Sequence, residues 1–185
     1  MAKERVLQIN QQHQLVQAQQ LPSPFHNQRP EDEISLLVVH CISLPQGVYG
    51  NGYVDQLFSG TLESSAEPSF ADLAGLEVSA HLLIERDGQL KQYVPFNRRA
   101  WHAGVSTYRG REACNDFSIG IELEGTDHSA FTQAQYQALV AVTQTLLAHY
   151  PQMSKQAIVG HSEIAPGRKS DPGEAFDWEA YLAAL

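Results

Sequence analysis

Two histidines, an aspartate and a lysine stand where they could hold and serve a metal ion. His40 closes the apolar run "ISLLVVH" (34–40), and His161 directly follows "KQAIVG" (155–160). Asp171 comes ten residues after His161, within "GHSEIAPGRKSDPG" (160–173), a loop stiffened by two prolines and three glycines. Two imidazoles and a carboxylate make a three-ligand zinc set, which leaves the fourth position open for chemistry. Structural zinc takes four protein ligands, commonly thiolates, and a chain whose only cysteines are Cys41 and Cys114 cannot supply them. If "RKSDPG" is extended, Lys169 and Asp171 project to the same side. The spacing lacks the regularity of a helical H-E-x-x-H motif, so by itself it is a weak signal.

These groups need a frame. The run 34–40 reads as a strand buried on both faces. Its parity puts His40 with Ile34, Leu36 and Val38 and turns Cys41 away, so His40 and Cys41 should not share an ion. Residues 78–94 read as a hairpin around Asp87-Gly88. In "FSIGIELEG" (117–125), Ile119, Ile121 and Leu123 share one face and Gly120, Glu122 and Glu124 the other. Spacing alone does not choose between the two glutamates. Residues 131–151 read as a helix, with Thr132 and Gln135 as a capping box and Pro151 as its stop. Residues 155–160 make a short strand leading into His161, and 177–185 a last helix capped by Asp177. The long stretch 44–76 has room for short helices at 53–58 and 69–74. The order predicts an α/β fold, a mixed central sheet flanked by helices, with the zinc site at one sheet edge.

Composition narrows the setting. A chain of 185 residues, 43% of them hydrophobic, fits one domain spanning 1–185. The glutamine-rich residues 1–20 form a peripheral N-terminal segment. No apolar run approaches the ~20 residues of a membrane helix, and the N-terminus has no apolar h-region, so the expected location is the cytoplasm, off the membrane. A net charge of -9 argues against a nucleic-acid partner. Cys114 reads as a small buried hydrophobe, Arg168 as a surface cation, and His81 as a packed or groove residue. His13, His26, His128 and His149 receive no role.

"LLVVHCIS", "VSAHLLIERDGQLKQYVPFNRRAWHAGVS", "CNDFSIGIELEG" and "GHSEIAPGRKSDPG", in this order, resemble the AmpD-type N-acetylmuramyl-L-alanine amidases, zinc enzymes of the peptidoglycan-recognition and phage T7 lysozyme fold. The resemblance spans roughly residues 20 to 182. It implies one zinc per chain on His40, His161 and Asp171, with Glu122 as catalytic acid/base and Lys169 as catalytic lysine. It also implies a substrate groove that includes Trp101, His102 and Asn115. The implied reaction is hydrolysis of the amide between N-acetylmuramic acid and L-alanine in a small muropeptide, the 1,6-anhydro form in cytoplasmic recycling, with no obligatory protein partner. The alternatives are a non-catalytic peptidoglycan-binding module and a lytic amidase of intact wall. The chain departs from the family at Cys41, where asparagine is usual, and at Glu77 and Ala113, where members can carry arginines. Either Arg109 or Arg111 would then take over anion binding, or substrate affinity would be altered.

Overall fold

A computed structural model describes residues 7–185. The charged start of the chain, residues 1–6, lies outside the described residues, and with it part of the stretch read as lacking a secretory leader. In chain order the strands are β1 (Gln19–Gln20), β2 (His26–Gln28), β3 (Leu36–Ile42), β4 (Leu82–Ile84), β5 (Leu90–Gln92), β6 (Arg98–Ala100), β7 (Thr107–Tyr108), β8 (Arg111–Glu112), β9 (Ser118–Glu124) and β10 (Ile158–Gly160). The helices are α1 (Tyr53–Ser59), α2 (Gln133–His149), α3 (His161–Ile164) and α4 (Trp178–Ala183).

Six strands form one sheet in the order β1-β5-β4-β9-β3-β10. Strand β3 runs parallel to both β9 and β10, and β9 parallel to β4, while β4 and β5 pair as an antiparallel hairpin. The sheet is therefore mixed, and the α/β class expected from the sequence holds. Strands β2 and β6, and β7 and β8, make two small antiparallel ribbons.

The alternation along β3 and β9 explains the layers. Leu37 and Val39 join Ile119, Ile121 and Leu123 in a core completed by Leu139, Val142 and Leu146 of α2. Leu36 and Val38 face the other way, among Phe117, Val159 and Ile164. A parallel strand covered on both faces has to be apolar throughout, which is why 34–40 reads as one hydrophobic run. The capping box of α2 forms as the sequence indicates. Thr132 Oγ1 accepts from Gln135 N at 3.1 Å, and Gln135 Oε1 accepts from Thr132 N at 3.0 Å. The same Gln135 amide donates to the carbonyls of Ile84 and Glu124, so the helix start is tied to the ends of β4 and β9.

Some boundaries differ. The first long strand begins at Leu36 and continues through Ile42, because pairing with β9 persists to Glu124. Residues 155–157 form a 3-10 turn, and His161 opens the helical turn α3 rather than ending a strand. Within residues 7–20, Leu15 is fully buried in the main core, and β1 extends the sheet beside β5.

His81 precedes β4 and is fully buried. Its Nδ1 accepts from Gly120 N at 3.0 Å and its Nε2 donates to Arg98 O at 2.9 Å. Burial, aided by the nearby Arg29 guanidinium, lowers its pKa to about 3. Between that value and its ordinary 6.5, the unfolded chain binds a proton that the folded chain refuses. Stability therefore falls as pH falls through this window. A His81→Phe variant should lose stability at pH 7, but its unfolding free energy should fall less steeply between pH 5.5 and 4. The slope should be shallower by up to about 1.4 kcal/mol per pH unit. Urea unfolding across that range checks this, and an unchanged slope would contradict it.

Candidate metal centre

The ends of β3 and β10 bring three ligand atoms together. His40 Nδ1 lies 3.0 Å from His161 Nδ1 and 3.0 Å from Asp171 Oδ2, and His161 Nδ1 lies 3.1 Å from that same oxygen. A tetrahedral zinc with bonds of about 2.0–2.1 Å needs ligand atoms about 3.3 Å apart, so this triangle fits an ion with a slight outward shift. The remote ring nitrogens support the same reading. His161 Nε2 is 3.1 Å from Ala103 O, a group that only accepts, so Nε2 carries the proton and Nδ1 presents a lone pair to the centre. His40 Nε2 meets His102 Nδ1 at 2.9 Å. Burial lowers the His40 pKa to about 4, which keeps its imidazole neutral and able to ligate. For Asp171, burial pushes the carboxyl up, but its contacts with His161 and His40 outweigh that and hold it below the usual carboxylate range.

Local structure fixes Asp171, the third candidate ligand. Ser162 N donates to Asp171 O at 3.0 Å, which folds the loop back onto α3. Gly173, with φ +89°, closes that loop against Asp127, whose carbonyl oxygen would lie 1.9 Å from any added Cβ. Only glycine fits there. Turns at Arg168 and at Asp171–Pro172 break the loop, so the condition that "RKSDPG" is extended is not met. Lys169 is exposed in a cleft of about 400 Å³ that it shares with Cys41, Ser43, Asp127 and Asp171. A larger groove of about 1270 Å³ lies between residues 7–16 and α2, away from this group of ligands.

Geometry separates the two glutamates. Glu122 pairs with His40 across the β3–β9 register, and its Oε2 is buried without a hydrogen-bond partner. Burial, and then the Asp171 carboxylate, push its pKa well above the ordinary value, with Lys169 opposing them. Glu124 is also buried but fully employed: its carboxylate accepts from Gly50 N at 2.6 Å and from Arg86 N at 3.3 Å. Glu122 is free to exchange a proton, whereas Glu124 anchors two loops.

The N-acetylmuramoyl-L-alanine amidase family model matches residues 30–174. The chain is 61% identical over 172 residues to the 1,6-anhydro-N-acetylmuramyl-L-alanine amidase AmpD of Salmonella typhimurium strain SL1344, covering 92% of this chain and 91% of that protein. The chain belongs to the N-acetylmuramoyl-L-alanine amidase family. AmpD of Escherichia coli K12 is 60% identical over 168 residues, covering 90% of this amidase and 91% of that protein. The crystal structure of a selenomethionine derivative of AmpD superposes with a TM-score of 0.93 at 55% identity, covering 96% of this chain and 99% of that one. The amidase AmiD of Escherichia coli, solved with anhydro-N-acetylmuramic acid-L-Ala-D-gamma-Glu-L-Lys, gives 0.59 at 32% identity, covering 82% and 57% respectively.

In this amidase, residues 101–106 wrap behind the metal group. Asn115 is buried, and its Oδ1 accepts from the backbone N–H of both His102 and Ala103. Arg168 donates to Ala103 O and Val105 O, both at 2.7 Å, so it braces the loop rather than standing as a free surface cation. Trp101 has partners of its own. Its Nε1 donates to Asn27 at 3.2 Å and its ring stacks on Phe25. Arg111 is bound to Glu33 and Arg109 to Gln156 O, so both cations already have partners. Cys41 packs on the α2 side, as strand parity requires, and Cys114 is fully buried. Burial raises both thiols above their ordinary pKa. The carbonyl of Ala103 and the Ser118 hydroxyl, both placed in this assembly, carry no sequence signal of their own. Among the described residues no helix is long and apolar enough to cross a membrane.

In metal-free protein Glu122→Gln should be at least as stable as the parent at pH 8, since it replaces a buried, unpaired charge with a neutral group. Because the folded pKa of Glu122 is raised, the folded state holds its proton above pH 4.5 while the unfolded state gives it up. Parent stability therefore drops as pH rises, and the advantage of Glu122→Gln should grow from pH 5 to pH 8. Glu124→Gln should instead lose about 1–2 kcal/mol at both. Urea unfolding decides. Clear destabilisation by Glu122→Gln at pH 8 would contradict the assignment.

Proposed function

We propose that the chain is a zinc amidase that hydrolyses the amide joining the lactyl group of N-acetylmuramic acid to L-alanine, acting on 1,6-anhydro muropeptides in cytoplasmic peptidoglycan recycling. The observation that carries this reading is the unpaired, buried Glu122 carboxylate beside the His40, His161 and Asp171 triangle. A binding module has no use for a costly free carboxylate at that place. The preference for a small anhydro muropeptide is supported by the names of the AmpD relatives and by the ligand of AmiD. Residues 1–185 are read as one domain, and the peripheral reading of residues 1–20 does not extend to Leu7, Leu15 and Ala18, which are buried in the main core.

His40, His161 and Asp171 would hold the zinc, whose Lewis acidity polarises an amide carbonyl and makes water a better nucleophile near neutral pH. Glu122 takes a proton from the attacking water and passes it to the departing amine nitrogen, as general base and then general acid. Its raised pKa suits both halves of that task. Lys169, exposed in the cleft, offsets the negative charge that develops on the carbonyl oxygen. The products are a sugar carboxylate and a peptide with a free alanine amine, with one water consumed.

Zinc-loaded protein incubated with anhydro and intact muropeptides, with products identified by mass, tests the reading. The anhydro substrate should yield anhydro sugar and free stem peptide, chelation should abolish this, and added zinc should restore it. Glu122→Gln at matched zinc occupancy should lower kcat by about 10²–10⁴. Uncut anhydro muropeptide with folded, zinc-loaded protein would reject the proposal.

A further inference from the structure

We infer that His102 is a positioning residue that sets the ring of His40, rather than a substrate contact, and that Ser118 and Gly120 of β9 form its seat. This rests on the reading of His40, His161 and Asp171 as zinc ligands. If His40 offers Nδ1 to the ion, its Nε2 carries a proton and needs an acceptor. The atom at that place is His102 Nδ1, at 2.9 Å. To accept, His102 must keep its own proton on Nε2, and that nitrogen lies 3.0 Å from Ser118 Oγ. The hydroxyl can accept that proton, His102 Nδ1 then accepts from His40 Nε2, and His40 presents its lone pair to the centre. A histidine that holds a metal is usually oriented by a hydrogen bond at its other ring nitrogen, and both imidazoles here follow that rule through adjacent residues. His161 uses the carbonyl of Ala103, which can only accept, whereas His40 uses a side chain that has to be set.

The surroundings are shaped for this. The His102 ring stands edge-on to His40, with centroids 5.0 Å apart and planes at 85°. Its backbone N–H is fixed by Asn115 Oδ1. A Cβ on Gly120 would lie 2.4 Å from His102 Cγ, so the ring rests on a strand that has to be bare there. Ser118, Gly120 and Glu122 alternate on one face of β9, so the same face supplies anchor, floor and buried carboxylate. With both ring nitrogens engaged inside the protein, His102 has none left for a ligand.

Zinc affinity, measured by competition with a chromophoric chelator at pH 7.5, tests this apart from activity. His102→Ala should bind zinc about 10–100-fold more weakly than the parent. His102→Asn, whose Oδ1 stands near the former Nδ1, should recover most of that loss. Ser118→Ala, a small change that keeps the fold, should weaken zinc binding several-fold. At saturating zinc, kcat of the variants should fall with KM little changed. Parental zinc affinity in Ser118→Ala and His102→Ala, with only KM raised, would make His102 a substrate contact and overturn the inference. A parent protein that binds no zinc would overturn the metal reading itself, and this inference with it.

Discussion

Two imidazole lone pairs and a carboxylate oxygen held about 3 Å apart repel one another unless a cation lies between them. The three candidate ligands come from β3, from the start of α3 and from the loop after it, so no single element can hold them against that repulsion. The rest of the site reads as bracing. Residues 101–106 back both imidazoles, Asn115 fixes the backbone of that segment, and Arg168 ties it to the loop that carries Asp171. Behind them, the buried guanidinium of Arg29 donates to the carbonyls of Phe96, Asn115, Asp116 and Ser118. Burial lowers its pKa only to about 10, so it stays charged at neutral pH and serves as an interior fastener for the segment that holds Asn115 and Ser118.

Strand β9 divides the labour by parity. Its odd residues, Ile119, Ile121 and Leu123, close the core under α2. Its even residues face the site, and they differ in how well their polar atoms are satisfied. Ser118 and Glu124 have partners, whereas Glu122 keeps a buried oxygen without one. A protein stabilised by only about 5–15 kcal/mol rarely keeps an unpaired buried carboxylate without use for it, and strongly perturbed groups of this kind cluster at functional sites. That contrast, between two glutamates two residues apart on one face, is what a fold alone would not require.

Much of this was legible in the residues. The apolar run ending in His40, the alternation around Glu122 and the Thr132–Gln135 cap each follow from local periodicity, and each is present. The grouping of His40, His161 and Asp171 was accessible because each ligand sits at an abrupt change from apolar strand or rigid loop. The short strands β1, β2 and β6–β8 were not legible, since two or three residues carry no period and form only because neighbours pair with them. Nor did spacing choose between Glu122 and Glu124, where the family resemblance alone pointed to Glu122, because the difference depends on Gly50 and Arg86 arriving from distant segments. The motif containing Trp101 and His102 suggested a groove, but the partners of the two side chains, Asn27 and Phe25 for Trp101 and the His40 ring for His102, come from distant segments that the motif does not mark. Arg168 read as a surface charge because its partners are backbone carbonyls, which no sequence pattern marks.

The claim on which all else rests is a metal held by two imidazole nitrogens and one carboxylate oxygen, with Cys41 excluded despite its place next to His40. X-ray absorption at the zinc edge of the loaded protein tests it directly. A shell of only nitrogen and oxygen neighbours at about 2.0–2.1 Å, with an imidazole pattern for two histidines, is the predicted result. A sulfur neighbour at about 2.3 Å would bring Cys41 into the site and contradict the account.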